Sequence, residues 1–204
     1  MQITGGLAAV SQDSDDPKRA RILEGALKVF LAYGFSRTTM DDIARAADLS
    51  RPALYLVFRN KTDIYQAIAR CVLARCVEQA RAVLSGTGSL IERLDLLLGE
   101  VMWATLRPIK ESPHGAELLD IKGRLAGDIM EEWRAHMETV LEEAFARDAR
   151  ESGADLSSRG LTARLVAETF LDALEGMSQR LRDPNCHPAQ AKEVARVVVA
   201  ALRP

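Results

Sequence analysis

Four helix-start signals stand between Asp16 and Asn60, and they fix what the beginning of this chain can fold into. Asp16 precedes Pro17, an N-cap followed by proline at the first helical position, where its missing N–H costs nothing. Ile22, Ala26, Val29 and Phe30 then recur at helical spacing, and Gly34 offers a left-handed stop, so a helix is expected over 17–33 with Phe35 folding back onto its apolar face. Thr39 with Asp42 three residues on gives a capping-box start to a second helix, whose inner face is Ile43, Ala46 and Ala47. Asp48 and Leu49 make a tight turn, and Ser50 caps a third helix with Pro52 in its first turn and Leu54 and Phe58 facing inward. Asn60 caps a fourth, with Asp63 at its third position, and Ile64, Ile68, Val72 and Val77 carry it to about Leu84. Three short helices followed by a long one, with a tight turn between the second and third, is a helix-turn-helix arrangement.

Ser85-Gly86-Thr87-Gly88 breaks the chain, and helices are expected near 89–106, 113–122, 124–150, 159–182 and 188–203, with Pro108, Pro113, Gly123, Gly153 and Pro184 as punctuation. Strand signals and internal repeats are absent from the pattern. With 48% apolar residues and only 5% aromatic ones, the 204 residues can fill a helical core, and the expected fold class is all-α. The expected organisation is an arm over 1–16, a helix-turn-helix domain over 17–61, a linking helix over 62–87 and a helical-bundle domain over 88–204. The arm has no basic n-region and no apolar core, and no apolar run approaches the roughly 20 residues of a membrane span, so the expected location is the cytoplasm. Cys71, Cys76 and Cys186 fit a reducing compartment, and five residues of helix turn through about 500°, making Cys71 and Cys76 a poor chelating pair.

The net charge of −2 conceals a division. From Pro17 to Lys61 there are nine basic residues against four acidic, whereas from Thr62 onward 18 basic face 22 acidic. A basic head on an acidic body suits a protein that presents one end to phosphate.

The segment Gly34-Phe35-Ser36-Arg37-Thr38-Thr39-Met40-Asp41-Asp42-Ile43-Ala44-Arg45-Ala46-Ala47-Asp48-Leu49-Ser50-Arg51-Pro52-Ala53-Leu54-Tyr55-Leu56-Val57-Phe58-Arg59-Asn60-Lys61 resembles the N-terminal domain of the tetracycline-repressor (TetR) family. The resemblance covers about Arg19 to Ala67 and rests on the ordered Gly-Phe, Thr-Thr, Ile-Ala, Leu-Ser, Leu-Tyr, Phe and Lys. It implies a homodimer whose first three helices bind double-stranded operator DNA and whose fourth links the domains, with a small-molecule effector releasing the DNA. The third helix, Arg51 to Val57, then enters the major groove, where Arg51 can read a guanine bidentately and Pro52, Ala53 and Leu56 can meet thymine methyls. Ser50 stands at the start of that helix, and Thr39, Tyr55 and Lys61 are expected on phosphates, Thr39 and Lys61 at helix N-termini that favour anions. Arg45 and Arg59 read as solvated charges. Three positions depart from the family: Asp48 where glycine is common, Pro52 where a small residue is usual, and Leu56-Val57 for a polar or aromatic pair. Aspartate tolerates a left-handed turn, and the apolar face shifts readout toward methyl contacts and DNA shape.

Beyond Gly88, Met102, Trp103, Met130, Trp133, Met137, Phe170, Leu174 and Met177 are large, soft side chains that can line an adaptable effector pocket, with bundle core as the competing use of each. The helix carrying Leu165, Thr169 and Asp172 is apolar on more than one face. Together with Val194, Val197, Val198 and Ala201 on the last helix it can form a four-helix dimer interface. Glu132 and His136 are four apart, a spacing that serves a surface ion pair better than a metal, and neither a metal nor a cofactor is expected. An all-α enzyme or carrier is the rival, but HExxH, a glycine-rich phosphate loop and a Ser/His/Asp set are missing. A second rival gives the head to protein partners, and salt dependence separates it from DNA binding.

Overall fold

The structure is a computed structural model that describes residues 16–180 and 187–204. The arm before Asp16, together with Pro184 and Cys186, lies outside the described residues. Helix α1 spans Pro17–Tyr33, and the Asp16 carboxylate accepts the Lys18 N–H at 2.9 Å at its start. Helices α2 (Met40–Ala46), α3 (Arg51–Tyr55) and α4 (Lys61–Ser85) follow as the caps predict, with the Thr39–Asp42 capping box complete. Asn60 Oδ1 accepts the Asp63 N–H at 2.9 Å, and Ser50 Oγ accepts that of Ala53 at 3.3 Å.

The remaining helices are α5 (Leu90–Leu96), α6 (Ala104–Lys110), α7 (Gly115–Leu125), α8 (Gly127–Ser152), α9 (Ala163–Arg180) and α10 (His187–Ala201). Among the described residues there is no strand, and no helix is long and apolar enough to cross a membrane. The single helix expected over 89–106 is interrupted by a π-helical segment, Leu97–Trp103, after which α6 runs through Pro108 instead of stopping there. The hydrogen bond that the proline ring cannot make would have ended on the Ala104 carbonyl, where the wider segment gives way to α6. Gly123 likewise sits inside α7, and the break falls at Ala126. Helix α9 starts at Ala163 and not at 159 because Gly160 takes a left-handed φ of 66° and Thr162 Oγ1 accepts the Leu165 N–H at 3.0 Å.

The chain divides into two compact units. The first runs to Arg75 and also contains Ala104–Glu132; the second comprises Cys76–Trp103 and Trp133–Pro204. This corrects the expectation that everything beyond residue 88 belongs with the second domain. The reason is packing: Leu118 and Ile121 of α7 are buried in the same core as Ile22, Phe30, Ile43, Leu54, Phe58 and Ile64. Hydrogen bonds follow the same course, from Ser112 Oγ to the Leu31 carbonyl at 2.7 Å and from Gln66 Nε2 to the Leu125 carbonyl at 2.7 Å. The Tyr65 hydroxyl reaches the Leu118 carbonyl at 3.0 Å, and burial pushes its pKa up to about 12.

In the second unit α9 packs on α10, and α10 on α5, around Leu94, Leu97, Met137, Leu141, Phe145, Ala167, Phe170 and Ala195. Among its described residues one ion pair is buried: Arg93 and Asp148 are 3% and 5% exposed and 3.9 Å apart. Arg93 Nη1 donates to the Leu84 carbonyl at 2.6 Å, and Arg203 lies 3.6 Å from the other Asp148 oxygen, so α4, α5, α8 and the end of α10 are fastened at one polar knot.

Candidate nucleic-acid interface

The helix-turn-helix is shaped by three backbone requirements. Asp48, in the turn between α2 and α3, has φ +54°, the left-handed conformation anticipated for a residue standing in a glycine's place. Arg21 of α1 holds the turn by donating through Nη2 to the carbonyls of Ala47 at 2.8 Å and Asp48 at 2.9 Å. Gly25 of α1 lies so close that a Cβ there would stand 2.9 Å from Ala46 C and Ala47 N. At the other end of α1, Gly34 has φ +81° and ψ 162°, a positive-φ stop of a different kind from the left-handed cap expected. Phe35 folds back as anticipated, its ring centroid 5.4 Å from Phe30 and 5.6 Å from Tyr65. Ile43 and Ala47 face the core, joined by Ala44 in place of the expected Ala46, which is exposed.

Arg51, Pro52, Tyr55 and Leu56 of the α3 region are exposed, Leu56 at 85%, while Ala53 is half-buried and Leu54 is fully buried. An apolar side chain with that much free surface and no packing role is available to a partner. The Arg51 guanidinium is not loose: Nη1 donates to Asp41 Oδ2 at 3.2 Å, and its carbon lies 5.6 Å from the Tyr55 ring centroid. The Tyr55 side chain and the Asp41 charge both hold Arg51 firmly protonated. Thr39 and Ser50 are exposed and occupied as caps. Hydrogen bonds from Thr39 keep the Asp42 carboxyl below its ordinary range, with Arg45 adding to the effect. Arg45 and Arg59 are solvated, paired with Asp42 at 2.8 Å and Asp63 at 3.2 Å.

Lys61 requires a correction. Its ammonium was expected on a phosphate; it donates instead to three backbone carbonyls, Phe35 at 2.7 Å, Ser36 at 3.1 Å and Thr38 at 2.9 Å, and lies 4.6 Å from the Phe35 ring centroid. An ammonium has three N–H groups, so these carbonyls use its donors fully. The same loop is held from α7: the Ser36 N–H donates to Glu117 Oε1 at 2.8 Å, which draws that carboxyl below its ordinary range. No local sequence signal links Ser36 to Glu117.

Residues 22–68 match the model described as bacterial regulatory proteins, tetR family. The chain carries the helix-turn-helix head of the TetR family. The head is 46% identical over 50 residues to the HTH-type transcriptional regulator SrpR of Pseudomonas putida, a match covering 24% of each chain. An HTH-type transcriptional repressor of Mycobacterium tuberculosis is 33% identical over 88 residues, 43% of this chain and 45% of that one. The match thus spans about a quarter to under half the length of these relatives. The likeness of fold extends further: the fatty acid degradation regulator FadR from Bacillus halodurans superposes with a TM-score of 0.68 at 21% identity, over 94% of this chain and 99% of that one.

Outside the TetR-family head the candidate residues part company. Met137, Phe170 and Met177 are buried in the core of the second unit, and Met102, Trp133 and Leu174 pack against it partly buried. Trp103 is half-buried at the end of the π-helical segment. Met130 belongs to the first unit, which separates it from the set. The indole N–H of Trp133 is buried with no acceptor. Of the expected dimer face, Leu165, Thr169, Asp172 and Val197 are exposed, Leu165 at 44% and Val197 at 69%. Val198 is a correction, since at 6% exposure it fills its own unit's core; Val194 packs against that core and Ala201 is half-buried.

Proposed function

We propose that this protein is a homodimeric transcriptional repressor of the cytoplasm that grips a palindromic operator with α1–α3 and lets go when a small molecule enters the second unit. The observation that carries the reading is the α3 surface: Arg51, Pro52, Tyr55 and Leu56 face outward from a turn fixed by Asp48 and Arg21. In the major groove Arg51 donates to a guanine, Pro52, Ala53 and Leu56 lie against thymine methyls, and Tyr55 reaches a phosphate. Thr39 and Ser50 contribute at helix starts, and Lys61 supports the loop before α2. Paired heads meet successive major grooves when about 34–36 Å apart.

The exposed Leu165 and Val197, with Thr169 and Asp172 beside Leu165 on α9, support pairing of α9 and α10 with those of a second copy. The soft side chains around Phe170, with the unsatisfied Trp133 N–H among them, support a largely apolar effector bearing an acceptor oxygen. An effector that binds one separation of the heads better than another weakens DNA binding by the same factor. Helix α4, which runs from the first unit into the second, is the lever, and α6 and α7 join it because they are packed into the head. No cofactor enters this reading, and regulation replaces catalysis as the role.

Selection of bound duplexes from a random DNA pool tests it, with Arg51→Ala and Tyr55→Ala as controls. An enriched inverted repeat that those variants lose, and whose binding weakens steeply with salt, is the expected result. A folded dimer that enriches nothing at low salt refutes it.

A further inference from the structure

Arg51 is the chemically most specific group on the exposed face of α3, and its setting differs from that of Arg45 and Arg59, the other exposed arginines near it. Arg45 and Arg59 pair with carboxylates on or beside their own helices, three and four residues away. Arg51 is held across the turn, by a carboxylate ten residues back on α2, while Tyr55 on α3 flanks it from the other side. Asp41 has no part in the capping box, which uses Asp42, and both members of the pair remain about half-exposed.

The geometry points to Asp41 as a positioning residue that makes Arg51 a reader of guanine and not a clamp on phosphate. This rests on the operator reading of the head. A guanidinium has five N–H donors in a rigid plane, so Asp41 can hold one Nη1 hydrogen and leave another edge for guanine O6 and N7. An arginine at an exposed helix start otherwise samples many rotamers, and the nearest strong anion on a duplex is a phosphate. The Asp41 carboxylate restricts the rotamers and repels phosphate from the same place. Asp41 thereby gives up general affinity for base discrimination.

The test compares wild type with Asp41→Asn, Asp41→Ala and Asp41→Glu, each alone and in an Arg51→Ala background, with circular dichroism as the check on folding. The readouts are base preference in duplex selection and the salt dependence of binding to random DNA. Asp41→Asn and Asp41→Ala are expected to reduce the Arg51-dependent guanine preference on the order of tenfold, with Asp41→Glu restoring part of it. Binding to random DNA should hold or tighten, with a salt slope steeper by about 0.9 for each phosphate that Arg51 gains. In the Arg51→Ala background none of the three substitutions should alter base preference. Unchanged guanine preference in folded Asp41→Asn, or an equal loss without Arg51, overturns the assignment. A wild-type protein that enriches no motif overturns the operator reading itself, and the assignment with it.

Discussion

Replacing Lys61 by Met separates two incompatible uses of one ammonium. In the structure it bridges the carbonyls of Phe35, Ser36 and Thr38, two of these bonds being part-buried, and Met keeps the length and apolar stem while removing every donor. A hydrogen bond from a charged donor is worth about 1.5–3 kcal/mol, and three sharing one ammonium do not add in full. Leaving two half-buried carbonyls unpaired therefore costs about 2–3 kcal/mol, or roughly 5–10 °C in Tm for a chain of this size. Thermal unfolding followed by circular dichroism reads that loss. Binding to a random duplex at several salt concentrations reads the alternative, because a lysine on phosphate contributes about 0.9 to the salt slope. A lowered Tm with an unchanged slope is expected. An unchanged Tm with a reduced slope would refute the reasoning and return Lys61 to the phosphate.

Gly25→Ala should destabilise by about 1–3 kcal/mol although alanine is the better helix former, because the added Cβ meets the backbone of Ala46 and Ala47, which cannot swing aside; a raised Tm would contradict this. Glu117 has a folded-state pKa below its ordinary value, so its contribution to stability is present above the unfolded value and is lost as pH falls through the folded one. Glu117→Gln should accordingly be less stable than wild type near neutrality, with the gap closing in acid; a gap independent of pH tells against the Ser36 bond as its source. A Leu165→Glu, Val197→Glu double variant should sediment as a folded monomer at concentrations where wild type is a dimer, and an undisturbed dimer would place the interface elsewhere.

The head was legible because its signals are local. A cap and its acceptor lie three residues apart, and a positive φ at Asp48 follows from one turn and its neighbours. The use of Lys61 was not legible, since a lysine at a helix start serves phosphate or carbonyls equally well until the loop beside it is folded. Nor was the place of α7, because nothing in the spacing of Leu118 and Ile121 says which core they fill, and Ser36 meets Glu117 across 81 positions of sequence. In the last helix Val197, Val198 and Val199 are chemically alike, and about 100° of rotation per residue decides which faces outward; only side-chain packing reveals it.

The presence of Leu118 and Ile121 in the core around Phe30 and Ile64 bears on how such a regulator can be rebuilt. A chimera cut after Lys61 or in the break after Ser85 would carry the helix-turn-helix head without part of its own interior. Its substitute α7 would come from another protein, with other side chains where Leu118, Ile121 and Glu117 stand. Engineers seeking a new operator for an old sensor, and recombination joining one to the other, therefore face a discontinuous exchange unit: the N-terminal helices travel well only with the Ala104–Glu132 segment that completes them.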